Sequence, residues 1–316
     1  MYKYAEGLII DTNIYRSVFI VKYMIRNNIM EHKTALILEG GAMRGLYSAG
    51  VIDVFMKNNI SVDVIYGVSA GALFGLNYKS RQIGRAIRYN LKYAHEKNYM
   101  GLYSLITTGD VMNKDFCFNK LVYELDKLDF ETYKNNPVEF YAVVTNLETG
   151  KPEYIKIDDA EKDLEYFRAS GSMPFVSNPV EINGNLYLDG AVADAVPIKK
   201  ALENNYEKII VVLTRPLGFN RKEKSHLPYK FFYRNFPNFV ETAKNSCTRY
   251  NETMDLIEKY ESENKIVVLR PSELIKMQRV EKDTKKLQAI YDLGVSDCTK
   301  KLNDIKEYLN VKAKSF

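Results

Sequence analysis

Apolar residues in this chain gather in short unbroken runs that alternate with stretches of helical spacing. The run at 34–39, TALILE, ends on a glycine pair and suits a strand buried on both faces. Behind it, Leu46, Ala49, Val51, Ile52, Val54 and Phe55 include i, i+3 and i+4 matches and predict a helix over 45–58. A second strand is predicted at 62–66, ended by Gly67, with helices at 70–78 and 83–95. Further on, EFYAVVTN at 139–146 carries a strand pattern and 154–157 a weaker one. Asn183-Gly184 marks a hairpin turn between 180–182 and 186–188. Pro197 opens a helix over 197–203, KIIVVLT at 208–214 reads as a buried strand, and 265–269 as another. A tail of helical character and mixed charge covers 281–309, whereas residues 1–29 show no persuasive pattern.

Strands that alternate with helical segments predict an α/β layered fold. The 316 residues suit one large domain, or one domain with an appendage, without internal repeat or low-complexity tract. Proline, glycine and charge cluster at 215–237 and mark a soft boundary. Met30 stands just before the first strand, so residues 1–29 read as an appendage or upstream extension. With 46% apolar and 27% charged residues, the chain has enough apolar surface to offset folding entropy, which excludes disorder as its main state. No run of about 18 uncharged apolar residues exists, which argues against a spanning helix. The stretch from Val18 to Ile25 is broken by Lys22 and lacks a small-residue cleavage site, which argues against a secretory signal. Cys117, Cys247 and Cys298 are widely spaced and odd in number, forming neither a disulfide framework nor a zinc motif. A reducing cytoplasm is the expected setting.

The sharpest candidate chemistry is Gly67-Val68-Ser69-Ala70-Gly71, a GxSxG pattern between a predicted strand and a predicted helix. Glycines two residues either side of Ser69 allow a tight turn without a Cβ clash, which holds the hydroxyl above the sheet. Without reactivity, the same residues would make a turn with Ser69 as helix N-cap. A second glycine-rich turn, Gly40-Gly41-Ala42-Met43-Arg44-Gly45, also joins strand to helix and turns N–H groups toward an anion. Ala42 replaces the middle glycine of a dinucleotide fingerprint, and no GK[ST] follows, so nucleotide binding is poorly matched. Paired with Ser69, the turn serves better as an oxyanion hole; otherwise it is a structural strand–helix turn.

A nucleophilic serine needs a base. His32 precedes the first strand and His95 lies on a predicted helix, so neither is in α/β-hydrolase order; His226 follows Ser69 but sits in the basic stretch RKEKSH. The alternative is Asp189, which ends the strand-like Leu188 segment and meets Gly190 and Ala191. Close and partly desolvated, it can accept the serine's proton; alone, an Asp-Gly pair suits an Asx turn. Asp194 and the pair Asp158–Asp159 lack that turn-and-strand context.

Together, Glu39 to Gly45, Gly67 to Gly71 and Asp189-Gly190-Ala191 resemble the patatin-like phospholipase family, as does Ala169-Ser170-Gly171-Ser172-Met173-Pro174, matching its ASxxxP block. The order and spacing agree over roughly 33–214. The resemblance implies a three-layer α/β/α core with a mainly parallel sheet, and a Ser–Asp dyad lipid acyl hydrolase without metal or cofactor. It makes Ser69 the nucleophile and Asp189 the base, flanked by the elbow glycines Gly67 and Gly71 and the acid turn Gly190 and Ala191. Gly40, Gly41 and Ala42 would hold the oxyanion, with Arg44 stabilising the loop. Ala42 departs from the family's usual glycine, and its Cβ disfavours positive φ. On this reading 1–32 is an N-terminal extension, 33–214 the catalytic domain, and 215–316 a C-terminal region with a basic and aromatic loop, helices and a strand.

Residues 215–239 hold six basic side chains against Glu223, interleaved with Phe219, Tyr229, Phe231, Phe232, Tyr233, Phe236 and Phe239. Such a mixture, including Lys230 and Arg234, suits docking to an anionic membrane surface; the plainer reading packs the rings on the core. No nucleic-acid module accompanies it. The leading expectation is a cytoplasmic acyl hydrolase of lipid esters, peripheral to the membrane. An α/β-hydrolase esterase using Ser69 with His226 is one alternative. A non-catalytic lipid- or protein-binding module on the same fold is the other.

Overall fold

The computed structural model describes residues 33–223 and 225–309, and the expectations for 1–32, with Met30 and His32, lie outside the described residues. Its centre is an eight-stranded sheet. The strands are β1 (Thr34–Leu38), β2 (Val64–Val68), β3 (Glu139–Asn146), β4 (Pro152–Lys156), β5 (Val180–Ile182), β6 (Asn185–Asp189), β7 (Lys208–Val212) and β8 (Val267–Leu269). They lie in the order β5-β6-β3-β2-β1-β7-β8, with β4 paired to β3 off this path. From β3 to β8 the neighbours run parallel, while β4, β5 and β6 form an antiparallel corner.

All five residues of β1 and of β2 are buried, as strands sandwiched between helical layers must be. Alternation sorts their side chains. Leu36, Leu38, Ile210 and Val212 enter one core, and Ile37, Ile209 and Val211 the other. Helices α1 (Leu46–Lys57), α2 (Ala70–Lys79), α3 (Arg85–Tyr93), α4 (Leu102–Thr108), α5 (Phe130–Asn135) and α6 (Leu164–Gly171) accompany the first six strands. After them come α7 (Ile198–Glu203), α8 (Leu227–Phe232), α9 (Pro237–Lys244), α10 (Ser246–Ser262), α11 (Thr284–Lys300) and α12 (Leu302–Tyr308). The first core takes Phe55 of α1, Leu76 of α2 and Leu287 and Ile290 of α11; the second takes Ala201 of α7 and Tyr250 and Ile257 of α10. Two covered faces make three layers, α/β/α, with a mainly parallel sheet.

Several boundaries differ from the hydrophobic pattern for local reasons. β2 starts at Val64, not at 62, because Val62 donates its N–H to the Tyr78 hydroxyl and the Asp63 carboxylate takes the N–H of Thr34. It then runs through Gly67 and Val68, straight into Ser69. The helical tail begins where Asp283 accepts N–H bonds from Lys285 and Lys286, and it divides at Lys301 into α11 and α12. The pattern also passed over α4, α5, α6, α8, α9, α10 and a π-helical stretch at Asp115–Leu125.

The C-terminal residues are built into the sheet layers. β8 extends the sheet beyond β7, and α11 crosses α1 at backbone contact. A Cβ on Gly294 would sit 2.2 Å from the Tyr47 carbonyl oxygen, so only glycine fits that crossing. Reciprocal bonds flank it: Tyr291 donates to Asp53 at 2.6 Å, and Tyr47 to Asp297 at 3.3 Å. Gly294→Ala is expected to lower stability by about 1–3 kcal/mol, because the obstacle is backbone and cannot rotate away. A urea titration checks it; an unchanged midpoint would show that the helices separate at no cost.

Candidate active site

Ser69 is the single residue between β2 and α2, with φ 54° and ψ −122°. That left-handed geometry costs a non-glycine residue about 1–3 kcal/mol, and it aims the side chain off the strand axis. The close packing behind it requires Gly71, where a Cβ would meet the Leu38 carbonyl oxygen at 2.2 Å. Gly67, within β2, packs against the first turn of α2. The strained turn is held by a relay of hydrogen bonds. Ser69 donates its N–H to Ser170 Oγ at 2.8 Å, and Ser170 donates its hydroxyl to the Val143 carbonyl at 2.7 Å.

Asp189 arrives from the end of β6. Its N–H donates to the Ser172 carbonyl at 2.8 Å, and its carbonyl accepts from Thr145 Oγ1 at 2.8 Å. The carboxylate is thereby fixed in two bonds: Oδ2 accepts from Ser69 Oγ at 2.7 Å, and Oδ1 from the N–H of Ala191 at 2.8 Å. Gly190 packs on the Val143 carbonyl and lets the turn close. Asp189 is only 4% exposed. Burial pushes its carboxyl up to about 6, against the pull of the Ser69 and Ala191 hydrogen bonds and the positive fields of Arg221 and Arg279.

Gly40 lies against Ser69, and Gly41 in extended backbone leads into a short 3-10 turn, Ala42–Gly45. Ala42 takes φ 50°, the conformation its side chain disfavours, at a cost of about 1–2 kcal/mol. Within the turn Arg44 donates its N–H to the Gly41 carbonyl, and Met43 to that of Arg279. The N–H groups of Gly41 and Ala42 meet no acceptor among the described residues. Glu39 anchors the loop from below: Oε2 accepts from the Thr214 N–H and hydroxyl, and Oε1 from Tyr250. Among the described residues the Arg44 side chain meets no hydrogen-bond acceptor, and its Nε is buried without one. Burial, with Arg215, Arg279 and Arg221 nearby and against the pull of Glu39, lowers that guanidinium to about 10.

From Ser69 a narrow cavity of about 90 Å³ follows α2, lined by Leu73, Phe74 and Leu76 on that helix and by Phe118, Leu121 and Val122. Ala42, Met43, Met173 and Arg279 line it too, as does Arg85, whose guanidinium is bonded to the Asp126 carbonyl and Asn77. Among the described residues, no group of three or more His, Cys, Asp or Glu could hold a metal ion.

The other candidate residues lie elsewhere. His226 stands at the start of α8 with no hydrogen bond to Ser69. Asp194 accepts from Tyr154, Asp158 pairs with Lys156, and Asp159 with Lys134 and Lys162. The basic and aromatic segment is divided. Tyr233 and Phe239 are buried together against Leu147 and Leu188, whereas Leu227, Phe231 and Phe232 of α8 are 66%, 73% and 68% exposed. Phe175 bridges the two parts, meeting Tyr229, Phe232 and Tyr233. Sequence reasoning gave no part to Ser170, Ser172 or Thr145. Only the first two carried a signal, through the ASxxxP resemblance.

Comparison with known proteins bears on this arrangement. A family model described as patatin-like phospholipase matches residues 36–202, and one described as a domain of unknown function matches 236–310. The uncharacterized protein YjjU of Escherichia coli is 27% identical over 189 residues, 58% of this chain and 52% of that protein. Lysophospholipase nte1 of Aspergillus fumigatus is 26% identical over 206 residues, 62% of this chain and 13% of that protein. The chain thus spans about half the length of the first relative and about an eighth of the second. The crystal structure of VipD from Legionella pneumophila aligns with a TM-score of 0.44 at 15% identity, covering 87% of this chain and 67% of that one.

The buried carboxylate sets a stability prediction. An acid whose folded value is raised costs stability when ionised, so the penalty is full above about pH 6 and fades toward the unfolded value of 3.8. Asp189→Asn removes it, since the amide can accept from Ala191 and donate to Ser69. The variant is expected to be more stable than wild type by up to about 3 kcal/mol at pH 8, converging with it near pH 4. Urea midpoints at both pH values decide the matter; a difference that ignores pH contradicts it.

Proposed function

The chain belongs to the patatin-like phospholipase family, and we propose that it is a serine acyl hydrolase of lipid esters working with Ser69 and Asp189. Ser69 Oγ attacks the ester carbonyl while Asp189 Oδ2 takes its proton. The oxygen that gains charge rests on the N–H groups of Gly41 and Ala42. Asp189 then passes the proton to the departing alcohol as the ester C–O bond breaks. Water attacks the acyl-serine, again losing its proton to Asp189, and Ser69 regains a proton as the fatty acid leaves. The observation that carries this reading is the 2.7 Å hydrogen bond from the strained Ser69 to a buried carboxylate. A base held near pH 6 is well matched to such work.

The cavity favours an acyl chain over a polar substrate. From Ser69 to Leu76 the α2 wall runs about 10 Å at 1.5 Å per residue. It suits one chain, which agrees with a lysophospholipid substrate, the kind that the names of the fungal relatives indicate. Ser69→Ala and Asp189→Asn are each expected to lose about a thousandfold or more on a short p-nitrophenyl ester. His226→Ala should keep its rate, and the wild-type rate should fall as pH drops through about 6. Loss in His226→Ala with survival of Asp189→Asn would transfer the base to the histidine. A folded protein inert to esters and to fluorophosphonate would be a binding module instead.

The setting this reading implies is the cytoplasm, with α8 resting on a lipid surface. Leu227, Phe231 and Phe232 project beside Lys230, a pairing of apolar and cationic groups suited to anionic headgroups. Replacing Phe231 and Phe232 by serine is expected to cut co-sedimentation with anionic vesicles severalfold. Undiminished binding would put the contact elsewhere.

A further inference from the structure

The glycine-rich turn beside Ser69 is braced from the far end of the chain. The N–H groups of Gly41 and Ala42, which meet no acceptor among the described residues, are aimed by peptide planes that neighbouring contacts must fix. Within the turn the Arg44 N–H bonds to the Gly41 carbonyl at 3.2 Å. Ala42 stands at φ 50°, a conformation its side chain resists. Such a residue keeps its place only where surrounding structure holds it.

Two supports come from 236–310, the stretch matched by a domain of unknown function. The Arg279 carbonyl accepts the Met43 N–H at 3.4 Å, which steadies the peptide that follows Ala42. Tyr250, buried on α10, donates its hydroxyl to Glu39 Oε1 at 2.9 Å. Oε2 of the same carboxylate accepts from the Thr214 N–H at 2.6 Å and from its hydroxyl at 3.0 Å. Thr214 is wedged against the turn. Its Oγ1 lies 3.3 Å from the Gly40 carbonyl oxygen, and a Cβ on Gly41 would come within 2.6 Å of it. Contact thus passes from Tyr250 through Glu39 and Thr214 to the backbone of Gly40 and Gly41.

All three side chains are shut away from water: Glu39 is 2% exposed, Thr214 2% and Tyr250 3%. A buried carboxylate deprived of one donor is left with an unsatisfied oxygen, at a cost that drives it toward another arrangement. Burial, and after it the Glu39 charge, push the Tyr250 hydroxyl above its ordinary value, so it keeps its proton and stays a donor. The Tyr250 ring packs in the second core with Ile257, and Arg221 lies over its face at 3.8 Å. Phenylalanine there preserves the ring contacts and deletes the hydroxyl alone.

We propose that Tyr250 is a positioning residue for the oxyanion hole, acting through Glu39 and Thr214, so that the stretch 236–310 serves the reaction as a brace. This rests on the hydrolase reading above and gives the C-terminal stretch a part in it. The Tyr250 hydroxyl is engaged with Glu39, and its effect reaches the ester through the aim of the Gly41 and Ala42 N–H groups.

The test is Tyr250→Phe in the full chain, assayed on p-nitrophenyl hexanoate, with active sites counted by fluorophosphonate labelling run to completion. Removing one oxyanion donor outright costs about a hundredfold or more in kcat, and misaiming it costs less. A fall of about tenfold in kcat per labelled site is expected, with KM held within about twofold. The decline of the rate through about pH 6 should stay in place, since Asp189 is untouched. Glycine holds positive φ without strain, so in an Ala42→Gly background the same exchange should cost about twofold or less. A lower urea midpoint with an unchanged rate per site would make Tyr250 structural alone and overturn the brace. A loss carried by KM, a displaced pH midpoint, or an equal loss in both backgrounds would overturn it too. Should Tyr250→Phe fail to fold, Thr214→Val removes a hydroxyl from the same relay and carries the same expectations and the same refutations. Wild-type cleavage at a rate indifferent to these exchanges leaves the hydrolase standing without its brace. Wild-type protein that neither cleaves the ester nor takes the fluorophosphonate removes both.

Discussion

The arrangement depends on keeping one carboxylate dry and within reach of one hydroxyl. Ser69 and Asp189 are 120 residues apart, one just after β2 and the other at the end of β6, yet their oxygens meet at 2.7 Å. Two short segments hold them there. Ser170 and Ser172, at the end of α6, take hold of the backbone of both partners: the Ser170 hydroxyl receives the N–H of Ser69, and the Ser172 carbonyl that of Asp189. Beneath them β3 supplies the Val143 carbonyl to Ser170 and the Thr145 hydroxyl to the Asp189 carbonyl. Ser170 and Ser172 are positioning residues in this sense. The distance between the Ser69 and Asp189 side-chain oxygens is set through them.

Much of this was legible in the sequence where the chemistry is local. β3 was bounded at both ends, because EFYAVVTN is a run of β-formers flanked by a proline on one side and a turn on the other. The glycine-rich turn and the serine elbow were visible because each needs small residues at fixed offsets. The Ser–Asp pairing was not derivable from spacing, since nothing local ties residue 69 to residue 189; it came from a four-block resemblance. The resemblance gave the Arg44 guanidinium a loop-stabilising part; its Nε is buried without an acceptor.

What stayed hidden was helical structure whose buried face is polar or small. The inward side of α10 is Tyr250, Thr253, Met254 and Ile257, at helical spacing but only half aliphatic. In α6, the small residues Ala169, Ser170 and Gly171 are buried at close approach, so the hydrophobic stripe is short. The division of the basic and aromatic segment was equally unreadable. A row of phenylalanines looks alike whether it caps a core, as Phe239 does, or stands in solvent, as Phe231 does.

The unfavourable features gather at one end of the sheet. Ser69 and Ala42 hold positive φ, Asp189 is a carboxylate almost without water, and the Nε of Arg44 is buried without an acceptor. The body of the fold offsets them: strands buried on both faces, and the C-terminal β8 and α11 clamped onto β7 and α1. Strain and uncompensated charge persist only where surrounding structure over-determines them. That their cluster coincides with the open end of an apolar cavity is therefore informative. A chain selected for stability alone would place asparagine at 189 and glycine at 42. Retaining an ionisable group there at that cost is what the base role proposed for Asp189 requires.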